Sequence, residues 1–137
     1  MDKKKQPGIN FDNIFLKEMK FKRKPKNIGS DINLDFASNI SVSDNEEKLY
    51  YELICKVSDD KKVFSLECSM MGVFSAVEGK ENMSIKHFAE HNAPALMLPY
   101  IRELVTTTTI RAGLRPISFP PINIIALLKE QKENGLI

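Results

Sequence analysis

Through the first half of the chain apolar and polar residues alternate with period two; in the second half the spacing turns helical. Segment 13–24, NIFLKEMKFKRK, alternates only loosely, with Phe15, Lys17, Met19 and Phe21 set against Ile14, Leu16, Glu18, Lys20 and Lys22. After the break PKNIGS, segment 31–43 puts Ile32, Leu34 and Phe36 on one face and Asn33 and Asp35 on the other, a parity that carries on to Ile40 and Val42. Segment 49–57 separates Leu49, Tyr51, Leu53, Cys55 and Val57 from Tyr50, Glu52, Ile54 and Lys56. Segment 63–71 gathers Phe64, Leu66, Cys68 and Met70 opposite Val63, Ser65, Glu67 and Ser69. The connections SDNEEK and SDDKK are short and polar. The pattern predicts a four-stranded antiparallel sheet with one apolar and one wetter face.

The second half predicts three helices. MSIKHFAEH (83–91) is stopped by Asn92 and Pro94. Over 93–113, Met97, Ile101, Leu104, Val105, Thr108 and Ala112 keep helical spacing, and Gly113 stands where a helix would end. Thr106 to Thr109 oppose helix by propensity, because β-branching restricts side-chain rotamers; the length of the pattern decides for helix. NIIALLKEQKE (123–133) is the last helix, with Asn123 as its N-cap. The fold class is therefore α+β, a single domain over 10–134 behind a flexible N-terminal 1–9.

Between the last two helices runs LRPISFPPIN (114–123). A connecting loop is normally polar and solvated. This one carries Leu114, Ile117, Phe119 and Ile122 and is stiffened by Pro116, Pro120 and Pro121. Its apolar side chains need a cover: the chain's own core, a second copy, or a partner.

Composition adds limits. At 137 residues, 42% hydrophobic and 28% charged, the chain reads as an ordinary globular domain. No apolar run is long enough to span a bilayer, and the basic N-terminus MDKKKQPGIN has no apolar stretch behind it, so a cytoplasmic protein without membrane insertion is expected. The net charge of +2 is too small to imply nucleic acid. The basic cluster Lys20, Lys22, Arg23, Lys24 and Lys26 reads as a solvated strand edge that discourages sheet-to-sheet association. Cys55 and Cys68 fall in apolar strand sets and read as small buried hydrophobes.

Reactive constellations are scarce. HFAEH (87–91) fits H-x-x-E-H, a zinc signature with Glu90 as base, but its helix ends at once and no third ligand is evident. His87 and His91 are read as helix surface residues, with no metal and no cofactor. The six glycines are scattered singly, so no phosphate loop is present, and neither cysteine sits in an electropositive loop. No catalytic residue is assigned; the unusual features are apolar surfaces.

GVFSAVEG (72–79), APALMLPYIRELVT (93–106) and PPINIIALL (120–128), in this order and spacing, resemble the SecB family of export chaperones. The matching residues are Leu98, Pro99, Tyr100, Arg102 and Glu103 in the second segment and Pro121, Ile122 and Asn123 in the third. The resemblance implies an ATP-independent holdase, not an enzyme, that binds unfolded polypeptides in apolar grooves. It also implies a homotetramer, a dimer of dimers, with the long helices at its centre. Carried over, the client-binding residues are Ile32, Leu34, Phe36, Leu114, Ile117, Phe119, Ile122, Leu127 and Leu128. The oligomer interface is placed on Met97, Ile101, Leu104, Val105 and Thr108. Glu18 and Glu67 match acidic positions that dock the SecA motor, but Lys22 replaces another, which implies weak or salt-sensitive SecA docking. A chaperone dedicated to one client, such as an antitoxin, and a non-chaperone oligomeric scaffold remain as alternatives. On the client-groove reading, truncating Phe119 would cost little stability and would weaken client holding.

Overall fold

In the computed structural model, which describes residues 8–77, 84–119 and 122–133, strands β1 (Ile9–Arg23), β2 (Ile32–Val42), β3 (Lys48–Asp59) and β4 (Phe64–Ala76) precede helices α1 (Ile85–His91), α2 (Ala93–Arg111) and α3 (Ile124–Glu133). Pro120, Pro121 and most of the N-terminal segment expected to be flexible lie outside the described residues. The strands form one antiparallel sheet in the order β1-β4-β3-β2, so β1 and β2 are its edges.

The loose alternation of the first strand has a structural cause. Its pairing with β4 slips between Phe11 and Asn13 and again between Leu16 and Glu18. Each extra residue reverses the parity of the strand beyond it. Phe11, Ile14, Leu16, Met19 and Phe21 therefore lie opposite Phe74, Gly72, Met70, Cys68 and Leu66, all on the helix side of the sheet. Strict alternation divides these residues between two faces, and the slips overturn that division. In β2, β3 and β4 the alternation is regular and the faces fall as expected: Leu49, Tyr51, Leu53, Cys55 and Val57 are buried together with Phe64, Leu66, Cys68 and Phe74. Cys55 and Cys68 pair directly across the strands and are buried free thiols.

Helix α2 lies over this apolar face and buries Met97, Ile101 and Val105 completely. Gly72 leaves the room for Met97: a Cβ there would stand 2.7 Å from its sulfur. Phe88 of α1 packs edge-on against Phe74 with ring centroids 5.2 Å apart, and Phe11 stacks on the same ring at 4.7 Å. No described helix is long and apolar enough to cross a membrane.

Helix α2 stops where Gly113 takes φ +76°. Its N–H donates to Ile110 and that of Leu114 donates to Thr109, at 3.0 Å each, the paired bonds of a Schellman cap. The threonine run upstream fixes the loop between α2 and α3. Thr106 Oγ1 donates to the carbonyl of Ile117 at 2.9 Å, and Thr109 Oγ1 accepts the Ile117 N–H at 3.1 Å while donating back to Val105 at 3.0 Å. The helix-propensity cost is thus offset by satisfying the backbone of a buried loop residue. Thr109→Val keeps the shape and removes the acceptor. It is expected to lower stability by about 1–3 kcal/mol in urea denaturation, the cost of an orphaned buried N–H; an unchanged midpoint would show that the loop does not depend on this bond.

Candidate functional site

The candidate site lies where edge strand β2, the loop after α2 and helix α3 meet. On β2, Ile32, Leu34, Phe36, Ile40 and Val42 face the helix side, opposite Asp59, Val57, Cys55, Tyr51 and Leu49 of β3. The loop crosses above them as an extended segment with alternating exposure. Ile117 and Phe119 point inward and are 4% and 7% exposed, while Arg115, Pro116 and Ser118 face solvent. Phe119 meets Phe36 edge-on at 6.0 Å. Helix α3 begins where Asn123 Oδ1 accepts the Ala126 N–H at 3.1 Å, as an N-cap should. It buries Ile124 and Leu128.

The client-binding residues expected from the sequence divide into two layers. Phe36, Ile117, Phe119 and Leu128 are buried in the chain's own core. Ile32, Leu34, Leu114, Ile122 and Leu127 are half-buried, packed against that core on one side and open on the other. Two neighbours escape the sequence reading: Ile125, half-buried on α3, and Ile40, 46% exposed on the helix side of β2. The parity of β2 already placed Ile40 on this face; nothing in the alternation told that no described helix covers it.

The residues assigned to a subunit contact sit differently. Met97, Ile101 and Val105 are fully buried beneath α2 by the sheet of the same chain, so they offer nothing to a second copy. Leu104 and Thr108 are half-buried. The opposite side of α2 exposes Leu96, Tyr100 and Ile110 by about half. Arg102 Nε is buried without an acceptor among the described residues.

The outer sheet face carries the charged positions. Glu18 pairs with Lys20 at 3.2 Å and Glu67 with Lys56 at 3.9 Å, all four side chains being exposed. Further along β3, level with Met71, Glu52 is nearly buried, accepting from Asn39 at 3.0 Å and from Lys17 at 3.0 Å. The Asn39 amide, with lesser help from Lys17 and Ser69, holds its carboxyl below the usual carboxylate range. Elsewhere, His87 and His91 stack with ring centroids 4.0 Å apart, and among the described residues no three metal-ligating side chains converge. The Cys55 thiol is pushed up by its bond to Cys68 and by burial. Nothing in these arrangements pairs a nucleophile with a base.

An apolar row on an edge strand, covered in part by a pinned loop and a short helix, is a binding geometry. Residues 2–135 match the family model described as preprotein translocase subunit SecB. The chain belongs to the SecB family. A SecB protein-export protein of Saccharophagus degradans is 25% identical over 88% of this chain and 76% of its own length. An uncharacterized protein of Methanocaldococcus jannaschii is 27% identical over 92% of this chain and 86% of its own. The fold is shared with a SecB-like chaperone of Mycobacterium tuberculosis, solved in complex with a peptide of the HigA1 antitoxin, at TM-score 0.71 and 17% identity over 84% of this chain and 90% of that one. SecB-family proteins are chaperones, and the four-stranded sheet with helices on one side is their architecture here as well.

Proposed function

We propose that this SecB-family chain is an ATP-independent holdase that carries unfolded polypeptides along the half-buried row Ile32, Leu34, Ile40, Leu114, Ile122 and Leu127. The observation that carries the reading is that this row is apolar and accessible, yet seated on a rigid floor of Phe36, Ile117, Phe119 and Leu128. A client can bury apolar area there without strict side-chain geometry, and the floor limits the ordering cost on binding. The assembly that fits is a homotetramer in which Leu96, Tyr100 and Ile110 of α2 are covered by another copy.

The test is light scattering of a denatured client in the presence of the chain, alongside sedimentation. Protection from aggregation at near-stoichiometric ratio is expected, from a species larger than the monomer. Leu34→Asp with Ile122→Asp should abolish most of the protection, because each loses roughly 25 cal/mol per Å² of apolar contact and places a carboxylate in the row, with circular dichroism and sedimentation unchanged. A parent that protects nothing, and merely assembles, would establish a scaffold.

A dedicated client is the second reading. The M. tuberculosis chaperone of this fold holds an antitoxin peptide, and the carboxylates Glu18 and Glu67, which would serve SecA docking, are each taken up by a lysine of the same sheet. A toxin–antitoxin pair encoded beside this gene would favour the dedicated role over general export.

A further inference from the structure

A concavity of about 700 Å³ lies on the outer sheet face, away from the apolar row. Its lining includes Lys20, Lys22, Lys56 and Lys62, with Asp35 and Glu67. The register explains how these meet. Lys20 and Lys22 stand opposite Glu67 and Ser65, Lys56 stands opposite Glu67 on the next strand, and Asp35 stands opposite Lys56 on β2. The basin thus crosses all four strands near one end of the sheet.

Edge protection accounts for Lys20 and Lys22 of edge strand β1, but not for the rest of the basin. Lysines that keep sheets apart belong on the edge strand, but Lys56 is on the interior strand β3 and Lys62 is in the turn before β4. Lys62 also holds φ +58°, a backbone position that glycine or asparagine fills more easily, and it lines the basin. Lys20 and Lys56 share the carboxylates of Glu18 and Glu67. Lys22, Lys24 and Lys62, all on the lining, have no carboxylate at ion-pair distance among the described residues. Arg23 also borders the basin, but it stands opposite Phe64 and its guanidinium is drawn toward the end of α2, donating to the carbonyls of Ala112, Lys24 and Lys26.

We infer that this basin is a docking surface for an acidic segment of a partner polypeptide, seated where the end of β1 meets the start of β4, with its carboxylates on Lys22, Lys24 and Lys62. Charge complementarity identifies the occupant. The unpaired cations are ammoniums, point charges that take carboxylates singly. Asp35 and Glu67 interrupt the positive field and would repel a continuous phosphate backbone, whereas a peptide can space its acids to meet the lysines alone. Phe64, the aromatic of the lining, is 2% exposed and gives a base no platform.

Fluorescence anisotropy on the full chain tests this, with a labelled glutamate-rich dodecapeptide, its glutamine counterpart and a single-stranded oligonucleotide of equal length as probes. The glutamate peptide is expected to bind saturably and to weaken steeply as salt rises, while the glutamine peptide does not bind. Lys22→Glu with Lys62→Glu should weaken it by about tenfold or more, the scale of close charge reversal. Lys86→Glu, an equal type of change on α1 outside the basin, should leave it unchanged. If the double reversal fails to fold, Lys22→Gln with Lys62→Gln is read in its place and should weaken binding severalfold. Absence of glutamate-peptide binding, equal loss in Lys86→Glu, or tighter binding of the oligonucleotide would each overturn the assignment. These readouts do not involve unfolded clients, so they stand or fall apart from the holdase function.

Discussion

Asp59→Ala is expected to cost the domain about 4 kcal/mol, a large share of an ordinary domain's stability. Asp59 ends β3 and is fully buried. Its Oδ1 accepts the N–H groups of Val63 at 2.8 Å and Phe64 at 3.0 Å, and its Oδ2 accepts that of Gly29 at 2.8 Å. One carboxylate therefore closes the β3–β4 turn and ties the β1–β2 connection to it. Alanine would leave three backbone donors without partners in a place that excludes water. Melting should fall by roughly 15 °C. Asp59→Asn should cost about half as much, since its carbonyl can keep Val63 and Phe64 while its amide faces the Gly29 N–H. Faster amide exchange at Gly29 with protection kept at Phe64 would show that division; equal stability of all three proteins would show that water replaces the carboxylate.

The same residue sets a pH dependence. Burial pushes the Asp59 carboxyl up, but the bonds from Gly29, Phe64 and Val63 outweigh it, and the group lies below the ordinary carboxylate value. A lowered folded-state pKa means the contribution is fully present above the unfolded value of about 4 and is lost as pH falls through the folded value. Stability of the parent should therefore drop below about pH 4, and part of that drop should be absent in Asp59→Asn.

Asp59 was not legible in the sequence as anything but a turn residue in SDDKK, because its role depends on Gly29, distant in sequence, reaching the same pocket. Where burial follows strand parity, the sequence was sufficient: β2, β3 and β4 fell on the faces their alternation implies. It was insufficient in β1, where two slips in pairing leave no mark in residue type. The N-cap Asn123 and the terminating Gly113 were visible because each is a chemical requirement at one position. The threonine run looked like an argument against helix because propensity weighs a residue against its neighbours, and these hydroxyls act on Ile117, beyond the helix end. Similarly, the apolar stripe of α2 was visible, but not which of two apolar surfaces would cover it; the sheet of the same chain does.

The loop is where structure and sequence give opposite expectations. From the resemblance alone, Phe119 is a groove residue whose truncation is nearly silent in stability. In the structure it is 7% exposed, edge-on to Phe36, and its approach is fixed by the bonds from Thr106 and Thr109 to Ile117. Removing a buried aromatic ring leaves a cavity that a pinned backbone cannot close, so Phe119→Ala is expected to cost about 3 kcal/mol and roughly 10 °C in melting temperature. Ile122→Ala, at a half-buried position, should cost less than about 1 kcal/mol. Client protection should divide the other way. At a temperature where both variants are folded, Phe119→Ala should hold an unfolded client nearly as the parent does, whereas Ile122→Ala should hold it less well. The floor of the row and its client-facing rim would then be separable by mutation. An unchanged melting temperature for Phe119→Ala together with lost protection would mean the ring faces the client in solution, and the rim would have to be extended inward to Phe36.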